Sequence, residues 1–185
     1  MADKTSVSVV LGQASGMRYT DPGYLALRVG TEILGSGFTG RLMGQVRDVE
    51  GLTYGIDARQ ANDSLADGDW HISATFAPSK LDQGIASTRR ELKKWYEQGA
   101  TEQEVADRKT NLVGTFKVGL ATTDGMAANL LRAVQRGLTP AWLDEYPRRI
   151  NSLTTAQVNT AIKQHLDPEK MFLVKAGTVT GAAAK

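Results

Sequence analysis

Gly40-Arg41-Leu42-Met43-Gly44-Gln45-Val46-Arg47-Asp48-Val49-Glu50-Gly51-Leu52-Thr53-Tyr54-Gly55 is the stretch on which the reading of this chain turns. Leu42, Val46 and Val49 recur at helical spacing, so a short helix is expected over 39–48 with those three on its apolar side. A Gly51-Leu52-Thr53 link follows, and from 53 to 59 the pattern becomes that of a strand. Arg47 and Tyr54, seven positions apart, thus flank a helix-to-strand turn, where two hydrogen-bond donors can face one cleft. From these residues alone, plainer roles stay open. Arg47 could cap the helix or pair with Glu50, and Tyr54 could pack in the core.

Outward from this block, residues 5–11 are β-branched and alternate, which predicts a strand. Asp21-Pro22 reads as a helix start, an N-cap acceptor followed by a proline suited to the first turn. Ala26, Leu27, Gly30, Ile33 and Leu34 share one face of that helix, and Gly35 ends it. Residues 70–76 form the strand expected to pair with 53–59, with Asn62-Asp63-Ser64 and Asp67-Gly68-Asp69 as turn residues between them. The second half is helical. Pro78 opens a helix carrying Leu81, Ile85, Leu92 and Trp95, closed by Gly99. Thr101-x-x-Glu104 and Thr154-x-x-Gln157 are capping boxes for two further helices. Val105, Leu112, Phe116 and Leu120 stripe the first of these, and Val158 and Ile162 point inward from the second. Between them, Met126, Leu130, Leu131 and Val134 mark another helix, and Thr139-Pro140 begins a short one containing Trp142. Asp167-Pro168 stops the last helix before a strand over 171–176. Strand, helices, two strands, several helices, strand is an α+β order.

At 185 residues the chain fits one domain, expected over 5–177, and can bury roughly 70% of its unfolded surface without staples. Residues 178–185 read as an unstructured tail. With 22 basic against 20 acidic residues, net charge +2 is too balanced to imply nucleic acid or an anionic membrane. The absence of cysteine excludes disulfides, zinc–thiolate sites and thiol chemistry. No run of eighteen apolar residues is present to span a membrane. Met1-Ala2-Asp3-Lys4 lacks the apolar core of a signal peptide, and so abrupt a start suggests a piece cut from a longer protein.

Several chemistries fall away. Gly35-Ser36-Gly37-Phe38-Thr39-Gly40 matches G-x-G-x-x-G, but it follows a capped helix where a dinucleotide fingerprint must follow a strand. It reads as a helix end and a tight turn. There is no phosphate-binding Gly-Lys-Ser/Thr and no G-x-S-x-G nucleophile elbow. His71 and His165 are the only histidines, neither at metal-ligand spacing, so both read as structural and no metal is expected on this chain. Acidic pairs such as Glu102/Glu104 and Asp144/Glu145 sit at helix starts, where they complement the dipole rather than act as acid and base.

Asp21-Pro22-x-Tyr24-x-Ala26-Leu27, Ile33-Leu34-Gly35, Arg41-Leu42, Arg47 and Gly51-Leu52-Thr53-Tyr54 follow one another in an order and spacing that resembles the pitrilysin/insulinase family of zinc peptidases. Ala77-Pro78 and the helices beyond continue the pattern, so the resemblance covers about residues 5–177. It is to the non-catalytic, C-terminal-type half, since the zinc motif His-x-x-Glu-His is absent. One departure is Asp48, where the family often has Glu after the arginine. The resemblance implies an open, mostly antiparallel sheet with helices packed on one face. It implies no catalytic residue in this chain, zinc in a partner half, and substrate binding by Arg47 and Tyr54 at the peptide backbone near the scissile bond. A guanidinium and a phenol opposite a zinc-bound water suit a carbonyl that gains negative charge. The partner half would be part of the same longer chain or a separate subunit, with a homodimer of the isolated domain a further expectation. The substrate would be an unstructured peptide. A bacterial periplasmic setting is implied, with a mitochondrial one as alternative. Two rival readings remain: a scaffold like the core subunits of a respiratory complex, and a generic α+β binding domain.

Overall fold

The computed structural model describes residues 4–177. Four strands, β1 (Val7–Ala14), β2 (Thr53–Ala61), β3 (Asp69–Phe76) and β4 (Phe172–Gly177), form one antiparallel sheet in the order β2-β3-β1-β4. Alternation explains which face is covered. Val9 faces Ala74 and Leu11 faces Ile72 across the β1–β3 ladder, and all four are buried, as are Trp70 and Phe76 on the same side. The opposite face is open: Val10 pairs with Val174 and Gly12 with Phe172, and these three large side chains are exposed. Residues 178–185, expected as a tail, lie outside the described residues.

Six α-helices lie among the described residues: α1 (Tyr24–Gly35), α2 (Leu81–Gln98), α3 (Glu102–Gly119), α4 (Thr123–Gln135), α5 (Trp142–Ser152) and α6 (Thr155–His165). The expected architecture is present, an open antiparallel sheet with helices on one face. Its α1 presses directly on β2. A Cβ on Gly35 would lie 2.3 Å from the Ala58 amide nitrogen, so only glycine permits this approach. In the core, Trp70 stacks on Trp95 with centroids 6.2 Å apart. The Trp70 indole N–H donates to Thr31 Oγ1 at 2.8 Å, and that hydroxyl donates to the Leu27 carbonyl at 2.9 Å, so the buried donor is satisfied. Each large side chain buried here contributes roughly 1.5–3 kcal/mol.

Both capping boxes form as expected, at Thr101/Glu104 and Thr154/Gln157. Three expectations need correction. First, Asp21 does not cap α1. The helix begins at Tyr24 behind Gly23 (φ 84°), while the Asp21 carboxylate accepts from the Arg18 N–H at 2.8 Å and closes the preceding turn. Second, the 39–48 helix is wound as a π-helix over Met43–Val49, with Glu50 N–H donating to the Gln45 carbonyl at 3.0 Å. This wider winding keeps Leu42 and Val46 buried but turns Val49 out, 73% exposed. Third, the apolar stripe of α4 faces solvent. Leu131 and Val134 are 59% and 62% exposed, and Ala133 is the buried residue of that helix. Periodicity identified the helix but not the side against which it packs.

Candidate functional site

Two local irregularities meet beside the open sheet face. The first is the π-helical segment, whose last full turn carries Arg47 and Asp48. The second is a β-bulge. Thr53 faces Phe76 and Ile56 faces Ala74, so three steps along β2 oppose two along β3. With Ile56 buried, strict alternation would bury Tyr54 as well. The bulge breaks that alternation, and Tyr54 is 89% exposed. The Thr53 hydroxyl holds the bulge. It lies 2.7 Å from the Thr75 carbonyl and 2.9 Å from the Gly55 carbonyl, donating its one proton to either, and accepts from the Gly55 N–H at 3.1 Å.

These features bring Arg47 and Tyr54 together. The Arg47 guanidinium carbon lies 5.4 Å from the centroid of the Tyr54 ring and 5.3 Å from that of Phe38. One of its amino groups donates to Asp48 Oδ1 at 3.0 Å. Glu50, a candidate partner of Arg47 on sequence, is engaged elsewhere: it accepts from Gln45 Nε2 at 2.7 Å and pairs with Arg90. The Gln45 hydrogen bond is the first cause holding its carboxyl below the ordinary range. Arg47 thus pairs with Asp48 rather than Glu50, in the last turn of its helix, and Tyr54 does not pack in the core. Beside them a groove of about 500 Å³ runs over the sheet, lined by Val10, Phe38, Met43, Tyr54, Asp57 and Ser73 among others. The phenol of Tyr54 lines this shallow, largely apolar trough, the Arg47 guanidinium lies against its ring, and a trough of this kind can take an extended chain.

The segment bearing Arg47 is tied down through Arg41. Its guanidinium grips Glu104 with two hydrogen bonds of 2.7 Å and donates to the Gly99 carbonyl at 2.9 Å. Glu104 also accepts from the Thr101 amide at 2.8 Å as the capping-box residue of α3. The hydrogen bonds from Arg41, and then those from Thr101, bring its carboxyl down to about 2. The capping box is local and legible in the sequence; its link to Arg41 spans 63 residues and is not.

Among the described residues no three His, Asp or Glu side chains converge to hold a metal. His71 pairs through Nδ1 with Asp69 Oδ2 at 2.5 Å. The carbonyl of His165, at the end of α6, accepts from Gln13 Nε2 at 3.0 Å. Phe38 also lines the groove and lies against Arg47, and its one signal in the sequence is the glycine-spaced turn that holds it.

Comparison with known proteins identifies the family. A family model described as the peptidase M16 inactive domain matches residues 2–112. The non-peptidase homolog YmxG of Helicobacter pylori is 26% identical over 73% of this chain and 31% of its own length. An uncharacterized zinc protease of Streptomyces coelicolor is 27% identical over 85% of this chain and 34% of its own. The chain therefore spans about a third of the length of these curated relatives. A solved peptidase M16 inactive domain from Pseudomonas fluorescens superposes with a TM-score of 0.86 at 29% identity, covering 96% of this chain and 42% of that one. The chain belongs to the peptidase M16 inactive-domain family, the zinc-ligand-free counterpart within the pitrilysin-type metallopeptidases.

Proposed function

We propose that this chain is the substrate-binding half of a pitrilysin-type zinc metallopeptidase, inactive alone and completed by a catalytic half in the same longer chain or in a separate subunit. The observation that carries the reading is the contact of Arg47 with Tyr54, whose side chain lines the groove. Tyr54 is almost wholly exposed, so it has no core role to explain it, and a bulge fixes its heading. In this reading an extended peptide lies in the groove and offers its backbone carbonyls to both donors. Donors fixed before the peptide arrives, and aimed at an oxygen that gains negative charge, commonly contribute about 10²–10³ in rate. In this reading the zinc is held by the partner half, which the relatives named as zinc proteases support.

Hydrolysis of an unstructured fluorogenic peptide tests this, with the chain alone and combined with its His-x-x-Glu-His half. We expect no turnover alone, turnover when combined, and a loss of roughly 10²-fold in kcat/KM for Arg47→Ala and for Tyr54→Phe. Full activity in both variants would overturn the reading. A scaffold role is the second reading, favoured by the likeness to a relative named as a non-peptidase homolog. An inactive reconstituted pair that still assembles would support it.

A further inference from the structure

The turn at residues 35–40 has no role in the reading above, yet it is built with care. Gly35 allows the approach of α1 to β2 described above, and Gly37 takes φ +60°, a conformation side chains rarely adopt. Thr39 Oγ1 accepts from Arg108 on α3 at 3.2 Å, which pins the turn to the helical layer. What the turn presents is Phe38, 74% exposed. A phenylalanine held so far out in water adds little to the core. Its ring instead lies against one charged group, the Arg47 guanidinium, on which Tyr54 also lies.

We infer that Phe38 is a positioning residue for substrate binding, its ring and that of Tyr54 steering the Arg47 guanidinium toward the groove. This rests on the substrate-binding reading of Arg47 and Tyr54. The physics is specific. A guanidinium is planar and weakly hydrated, so it gains by lying near aromatic faces while its N–H edges stay free to donate. Asp48 occupies one of those edges. Of the five N–H donors an arginine carries, most then remain for a peptide carbonyl. Lying against two rings, Arg47 is also restricted before the peptide arrives, so less freedom is lost on binding.

The test uses the catalytic pair and the same fluorogenic peptide. Phe38→Leu keeps an apolar side chain but removes the π face; Phe38→Trp keeps it. We expect Phe38→Leu and Phe38→Ala to lower kcat/KM about 2- to 5-fold, the range of an exposed cation–π contact, and Phe38→Trp to retain it. In an Arg47→Ala background, Phe38→Leu should change nothing further, because the group it positions is gone. Independently of turnover, the Arg47 side-chain N–H resonance of the chain should move downfield in Phe38→Leu as ring-current shielding is lost, with the melting curve unchanged. A silent Phe38→Leu, or losses that simply add in the double variant, would overturn the inference. If Arg47→Ala and Tyr54→Phe still lose roughly 10²-fold in that case, only the role of Phe38 falls. If those two variants are fully active, the substrate-binding reading falls first and takes this inference with it.

Discussion

Replacing Glu104 by glutamine keeps the shape of the Arg41–Glu104 link and removes its charge. The carboxylate accepts two hydrogen bonds from Arg41 and one from the Thr101 amide, at 2.7–2.8 Å. Its fall from the ordinary 4.5 to about 2 would correspond to about 3 kcal/mol at 1.36 kcal/mol per pH unit. The side chain is 31% exposed and partly screened, so we expect about 1–2 kcal/mol from Glu104→Gln at pH 7. The sign follows from linkage. A carboxyl that is more acidic in the folded state stabilises above its unfolded value, and that contribution is lost as pH falls from about 4.5 through about 2. Urea denaturation of both proteins at pH 7 and pH 3 reads it directly. The gap between them should shrink by more than half at pH 3. An equal gap at the two values, or none at pH 7, would refute the reasoning. A double-variant cycle with Arg41→Ala should show a coupling of at least about 0.5 kcal/mol, since the two groups share their hydrogen bonds.

Thr53→Val removes the hydroxyl that ties Gly55 to Thr75 across the bulge. We expect a loss of about 0.5–1.5 kcal/mol in urea melts, together with a fall in kcat/KM of the catalytic pair as Tyr54 loses its fixed heading. On α4, Leu131→Lys and Val134→Lys should each change stability by less than about 0.5 kcal/mol, because both side chains already face solvent. Thermal melts check this, and a large loss in either would mean that the stripe is packed after all.

Much of the fold was legible because it rests on short-range chemistry. The capping boxes at Thr101 and Thr154 need only residues three apart, and both form. The pairing of 53–59 with 70–76 follows from alternation and the turn residues between them. What failed failed for one kind of reason. Asp21-Pro22 has the composition of a helix start, yet Asp21 is spent on the Arg18 amide and the helix waits for Tyr24. Val49 follows helical spacing, but the π winding of its segment turns it outward. The α4 stripe has a clear period, and periodicity says nothing about which side of a helix meets its neighbours. At the site, Arg47 and Tyr54 could be singled out only through family likeness; their residue types alone left capping, pairing and core packing open.

The sequence by itself determined the class of the protein: an α+β chain with the ordered motifs of a zinc-peptidase inactive half and with neither cysteine nor the zinc motif. These are matters of composition, period and local spacing. Only the tertiary structure decided that Tyr54 turns outward, that Phe38 and Tyr54 both lie against Arg47, and that Arg41 holds Glu104 across 63 residues of chain. A bulge, a π-helical segment and a long-range ion pair depend on what the rest of the chain brings alongside. No local pattern encodes them, because their energy exists only once the sheet and helices have packed.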